Sequence, residues 1–216
     1  MGDNISSDNI RIEAVGITKS YGPPLFAPVS FTLRGGDGLG LEGCNGSGKT
    51  TLLDIISGLC RPDAGQMRTH GTIGYVMQQD GLSGLLSCRD NLLFEAALCR
   101  LPSSEARSRI RDLAEQCAIS SFLDKRLSRC SAGMRQRVNL AAALLCRPGI
   151  LLLDEAFSPL DSGSRAIVRN IIASCMDGGA AAVIVSHDRS DLDALCSSAI
   201  SLPDSSQRDI ARRSLP

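Results

Sequence analysis

Gly43-Cys44-Asn45-Gly46-Ser47-Gly48-Lys49-Thr50-Thr51 follows the short apolar run Leu39–Leu41 and leads into Leu52, Leu53, Ile55, Ile56 and Leu59. The last five fall at helical spacing, and Arg61-Pro62 stops them. A strand, a glycine-rich turn and a helix in that order form a phosphate cradle. The glycines let successive backbone N–H groups turn inward around an oxyanion, and the helix adds the positive end of its dipole. A lysine in such a loop reaches the β- and γ-phosphates of a nucleotide, and the hydroxyl after it ligates Mg²⁺. Lys49 and Thr50 occupy those two places. The candidate nucleotide-binding residues of this P-loop are Gly43, Asn45, Gly46, Ser47, Gly48, Lys49, Thr50 and Thr51.

A second acidic element lies downstream. Ile150-Leu151-Leu152-Leu153 is an unbroken apolar run ending in Asp154-Glu155, the pattern of a strand covered on both faces. Such a strand delivers its terminal carboxylates to the mouth of an open α/β sheet, where ligands bind. Asp154 suits the shell of a Mg²⁺ ion, and Glu155 is placed to orient or deprotonate an attacking water.

The rest of the chain alternates strands with helices. Ile10–Ile17 reads as a strand with a slip, Val29–Leu33 as a half-buried strand, and Ile73–Met77 as a further strand. Cys88–Leu98 and Ser104–Ile119 carry apolar residues at helical spacing, a helical insertion at about 80–130. Helices over Ser131–Leu145 and Ser164–Cys175, and strands over Ala181–Ser186 and Ala199–Leu202, follow. The tail 204–216 is polar and reads as loose. The alternation implies an α/β fold, a parallel sheet wrapped by helices.

Composition removes several function classes. Lys plus Arg number 23 against 23 Asp plus Glu, so the net charge is zero and no broad basic footprint for nucleic acid exists. With no Trp, two Tyr and five Phe, a base-stacking platform is not expected either. Apolar runs such as Ala180–Val185 fall far short of the roughly 20 residues that span a bilayer. Met1–Asn9 is polar and acidic, so no signal peptide is expected. The nine cysteines are never closer than 11 positions, which excludes Cys-x-x-Cys sites. They are expected to be small buried free thiols of a reducing compartment.

Three further stretches narrow the reading. These are Cys130-Ser131-Ala132-Gly133-Met134, the run Val183-Ile184-Val185-Ser186-His187-Asp188, and Thr18-Lys19-Ser20-Tyr21-Gly22. Together with the two acidic and phosphate-binding elements they make the sequence similar, from about Ile12 to Leu202, to the ATP-binding cassette (ABC) family, the nucleotide-binding subunits of ABC transporters. The resemblance implies one ATP-binding domain over 1–216: a P-loop NTPase core of mostly parallel sheet flanked by helices, an N-terminal antiparallel β subdomain and the inserted helical subdomain. It implies ATP and Mg²⁺ as ligands. It assigns adenine stacking to Tyr21, contact with Mg²⁺ and the lytic water to Gln78, and γ-phosphate binding to His187. Glu155 becomes the base, and Asp154, Thr50 and Gln78 the metal-side residues. Ser131 and Gly133 match the signature loop that reaches ATP held by a second subunit, and Asp161 the loop that crosses the dimer interface. Cys130, Ala132 and Met134 depart from the usual Leu-Ser-Gly-Gly-Gln, and Ala156 replaces the usual proline.

The implied function is an ATP-hydrolysing subunit, peripheral on the cytoplasmic face of a membrane, that powers a separate transmembrane permease with a lean to export. It would work as a homodimer or heterodimer with a second ATP-binding subunit, with no nucleic acid as partner. Two alternatives stay open: a soluble ABC ATPase acting on nucleic acid or ribosomes, and an ATP-dependent dimerisation module with little hydrolysis.

Overall fold

Two sheets divide the chain in the computed structural model, which describes residues 9–78 and 81–202; the tail 204–216 lies outside the described residues, as do Gln79 and Asp80. The elements run β1 (Ile10–Thr18), β2 (Val29–Arg34), β3 (Gly38–Glu42), α1 (Lys49–Ser57), β4 (Ala64–Thr69), β5 (Ile73–Val76), α2 (Cys88–Leu98) and α3 (Ser103–Gln116). Short 3₁₀ turns at Ser120–Phe122 and Leu127–Arg129 precede α4 (Ala132–Leu144), β6 (Ile150–Asp154), α5 (Ser162–Asp177), β7 (Ala181–Val185), α6 (Arg189–Leu195) and β8 (Ser198–Ser201).

The larger sheet has the order β5-β6-β7-β3-β8, with every pair parallel. Parallel neighbours need crossovers, and the helices supply them. β6 and β7 are buried at every residue, so they can be apolar throughout. Alternation then sorts their side chains between two cores. Leu151, Leu153, Ala182 and Ile184 face a core shared with α2, α3, α4 and α5. Ile150, Leu152, Ala181 and Val183 face a second core built with α1 and the strands β1 and β2.

The smaller sheet, order β2-β1-β4, is antiparallel and is the expected N-terminal β subdomain. The slip read in the first strand is real: the β1–β2 register shifts between Ala14 and Ile17, with Gly16 at φ 61 in between. β4, Ala-Gly-Gln-Met-Arg-Thr, has no apolar alternation and was not legible as a strand; it forms because β1 pairs with it from Ile12 to Thr18, with a register shift after Val15. α6 was also not foreseen. Its seven residues carry two aspartates and an arginine, too few apolar positions for a period. The strand expected over Ile73–Met77 ends at Val76, and the helix expected to Ile119 ends at Gln116 and passes into a 3₁₀ turn.

The cysteine expectation needs correction. Cys99 and Cys146, at the C-terminal ends of α2 and α4, form a disulfide with Cα atoms 6.0 Å apart. Only tertiary contact between two helices 47 positions apart in sequence brings them together. Of the free cysteines, Cys88 and Cys117 are buried as expected, whereas Cys44 is exposed and Cys60, Cys130, Cys175 and Cys196 are half-buried.

No helix among the described residues is long and apolar enough to cross a membrane. Leu152, fully buried in the middle of the central strand, tests the two-core arrangement. Leu152→Ala is expected to cost about 2–5 kcal/mol in denaturant unfolding, whereas Leu85→Ala, at an exposed position, should cost within about 0.5 kcal/mol.

Candidate functional site

The C-terminal ends of β3, β5, β6 and β7 lie side by side, and each is followed by a residue expected to act. The P-loop follows β3, Gln78 follows β5, Glu155 follows β6 and His187 follows β7. A parallel sheet gathers these ends without any further device.

Within the P-loop, Gly48 is left-handed at φ 97 and caps the N-terminus of α1. A Cβ there would also stand 2.7 Å from the ring of Phe26, so glycine is required twice over. Lys49 is nearly buried and folds back along the loop, its Nζ donating to the carbonyls of Gly43 (2.6 Å) and Cys44 (2.9 Å). The Ser47 hydroxyl is buried with no hydrogen-bond partner. An ammonium bound only by carbonyls and an orphaned hydroxyl are unfilled donors, which suits a phosphate chain and not a closed structural turn.

Thr50 Oγ1 donates to Asp154 Oδ2 at 2.7 Å. Asp154 is buried, and desolvation first, with the charge of Glu155 adding to it, raises its pKa while the Thr50 hydrogen bond opposes. A cation beside these two oxygens would reverse the penalty. No group of three or more His, Cys, Asp or Glu among the described residues could hold a metal alone. Mg²⁺ here would therefore rely on Thr50, Asp154 and Gln78 together with phosphate and water oxygens, which fits its preference for few protein ligands.

Glu155 sits at φ 54, its N–H donating to Val185 O at 3.1 Å. Its Oε2 accepts from Ser158 Oγ at 2.7 Å. Oε1 lies 3.2 Å from His187 Nε2 without hydrogen-bond alignment and is otherwise unpartnered. One oxygen is thus anchored and the other is left for a proton.

A cavity of about 380 Å³ collects most of these groups, with Gly43, Ser47 and His187 outside its lining. Tyr21, Asn45, Gly46, Gly48, Lys49, Thr50, Thr51, Gln78, Asp154 and Glu155 all line it, with Leu25. Tyr21 is exposed, its ring facing Lys19 Nζ at 5.5 Å. Ser131, Gly133 and Asp161 do not line the cavity. Ser131 caps α4 by accepting from Met134 N at 3.2 Å, and Asp161 caps α5 by accepting from Ser164 N at 2.8 Å. That N–H bond holds the Asp161 carboxyl below the usual range. A Cβ on Gly133 would stand 3.1 Å from Pro159 O, so the signature helix starts against the Asp161 loop.

One group was missed from sequence. Asp191 in α6 is fully buried and accepts from Arg165, from Arg169 at 2.6 Å and from Ser186 Oγ at 3.0 Å. Arg165 also pairs with Asp188. The residues on both sides of His187 are thereby pinned to α5. The signal was the unexplained acid pair after His187, readable only once α6 is known.

The family model described as ABC transporter matches residues 26–158. The chain belongs to that family. The doxorubicin resistance ATP-binding protein DrrA of Mycobacterium tuberculosis is 33% identical over 88% of the chain and 62% of the relative. The Nod factor export ATP-binding protein I of Rhizobium meliloti is 32% identical over 87% of the chain and 60% of the relative. A sulfate/thiosulfate import ATP-binding protein CysA of Methylococcus capsulatus is 34% identical, covering 84% and 57%. The chain thus spans about three-fifths of the length of these relatives. Among solved structures, a dimeric ATP-binding cassette in a post-hydrolysis state with ADP and Pi superposes at TM-score 0.81 and 24% identity, covering 90% of this chain and 96% of that one. A putative metal-chelate type ABC transporter in an inward-facing conformation superposes at 0.80 and 24% identity, covering 90% and 79%. Both share the P-loop fold of this ABC-family chain.

Asp154 offers a test with a definite sign. A carboxyl whose pKa is raised by folding costs stability above its unfolded pKa, and that cost vanishes as pH falls below it. Asp154→Asn keeps an acceptor for Thr50 and should raise the melting temperature of the metal-free ABC domain at pH 7. A rise of about 2–4 °C per kcal/mol of relieved desolvation is expected. The gain should shrink to nothing below about pH 4; a gain independent of pH would remove the desolvated carboxylate as its source.

Proposed function

We propose that the chain binds ATP with Mg²⁺, hydrolyses it, and powers a membrane transporter as a peripheral subunit on the cytoplasmic face. The observation that carries this reading is the single cavity lined by Lys49, Thr50, Gln78, Asp154 and Glu155 together. Lys49 would exchange its two loop carbonyls for phosphate oxygens, and Ser47 would find its missing acceptor. Thr50 and Asp154 would hold the metal side with Gln78. Held there, Mg²⁺ would supply positive charge to the phosphate oxygens. The free Oε1 of Glu155 would take or orient the proton of the attacking water, while Ser158 fixes the other oxygen. His187, held by the Arg165–Asp191 network on its flanks, would bind the terminal phosphate. Tyr21 would stack on the base, a contact worth roughly 1–3 kcal/mol.

Ser131, Gly133 and Asp161 stand apart from the cavity of their own chain, which supports a second ATP-binding subunit whose nucleotide they complete. In such a pair ATP becomes part of the interface, and its cleavage loosens the interface. Ala132 and Met134 alter the signature without removing Ser131 or Gly133, so an identical or a nonidentical partner both fit.

A separate permease is supported by exposed apolar side chains in the helical insertion: Leu85 (81% exposed), and Phe94 (58%) and Leu98 (63%) one turn apart on α2. A monomeric soluble surface would not normally gather them. The names of the relatives favour export over import, drug resistance and Nod factor export against sulfate import.

Glu155→Gln keeps the shape and removes the base. Nucleotide affinity should stay near that of the parent protein, while phosphate release falls on the order of 10²–10⁴-fold. Undiminished release would take Glu155 out of this role. Phe94→Asp should leave nucleotide binding unchanged and abolish co-purification with a multispan membrane protein from detergent extracts; retention of that protein would move the docking face elsewhere.

A further inference from the structure

At the opposite end of the sheet, where Thr72, Gly149 and Ala180 lead into β5, β6 and β7, three arginines surround a second cavity of about 450 Å³. It shares no residue with the nucleotide cavity. Arg11 of β1 donates its Nε to Gly179 O at 3.1 Å. Its guanidinium lies against bare glycine backbone: a Cβ at Gly149 would stand 3.6 Å from Nη1. Arg109 of α3 donates Nη2 to Leu144 O at 3.0 Å, but its Nε is buried with no partner. Arg147, just past α4, is exposed at the rim with a left-handed backbone at φ 47.

No carboxylate lines this cavity. Arg11, Arg109 and Arg147 make no ion pair among the described residues. Burial, and then the positive charge of Arg147, hold the Arg109 guanidinium below its ordinary pKa, with Asp112 on the next turn of α3 opposing. Glu105 lines a neighbouring cavity that shares Thr72 and Arg147 with this one. Like charges turned toward one space, one of them with an unused buried donor, have no carboxylate within that space or in contact with them among the described residues. Planar guanidinium forks match tetrahedral oxyanions, which accept from them in pairs.

We propose that this cavity binds a soluble anion carrying a diphosphate group, held between Arg109 and Arg147 with Arg11 on the facing wall. Three positive charges without a carboxylate call for more than a monovalent ion, and the volume exceeds what one phosphate group fills.

Inorganic pyrophosphate is the probe. It is titrated calorimetrically, with divalent cations chelated, into a parent protein that carries Lys49→Ala, which removes the phosphate-binding ammonium of the P-loop. One saturable site is expected, weakened at least about tenfold by Arg147→Ser and further by Arg109→Met, since each removes a charge-assisted hydrogen-bonding group. Arg89→Ser, a charge loss in the helical insertion away from this cavity, should leave the affinity unchanged. Arg147 is exposed, so its variant keeps the test open should Arg109→Met fail to fold. Absence of saturable binding, or equal affinity in the parent and Arg147→Ser, overturns the proposal.

Discussion

The hydrogen bond from Thr50 Oγ1 to Asp154 Oδ2 joins two segments 104 residues apart, and the site exists because both ends are held. Thr50 is fixed by the first turn of α1, whose start is set by the left-handed Gly48 against Phe26. Asp154 is fixed by β6, which is buried along its whole length. A bond between a helix N-terminus and a strand C-terminus keeps its geometry only if neither element slides. The two cores on opposite faces of β6 prevent that, each gripping alternate residues of the same strand.

The cavity proposed to hold the nucleotide is in this sense a by-product of sheet order. β3, β6 and β7 are parallel neighbours or separated by one strand, so the loops after them open on one edge. Chemistry is then divided by rigidity. Lys49 and Asp154 are buried and hydrogen-bonded, whereas Cys44, Asn45 and Gly46 of the P-loop, with Tyr21, Gln78 and His187, are exposed. Buried groups set charge and position; rim groups remain able to respond to what enters.

Legibility in the sequence followed locality. The P-loop, the apolar strand before Asp154 and the helical spacing of α1 through α4 all lie in contiguous residues, and the structure has them within a few positions. β4 was not readable because its strand character comes from β1 and not from its own polar residues. α6 was hidden by Asp191, a buried carboxylate on a short helix, which reads as a solvated position until Arg165 and Arg169 are seen beside it. The Cys99–Cys146 pairing and the arginine-lined cavity have the same cause: their members come from elements that sequence spacing cannot bring together. Tyr21 and Gln78 were found through family resemblance alone, since a lone exposed tyrosine or glutamine has no pattern of its own.

The shared core on the helical face of the sheet bears on how this protein can be rebuilt. Leu92 of α2, Ile110 and Leu113 of α3, and Leu151 and Leu153 of β6 belong to one continuous cluster. The helical region is thus an insertion in sequence but not a detachable module. Excising it would turn the outer faces of the central strands to water, so a chimera grafting another cassette's helices must bring a matching apolar face. Recombination points at 80 and 130 would look natural on paper, yet the heritable unit here includes the strand that ends in Asp154.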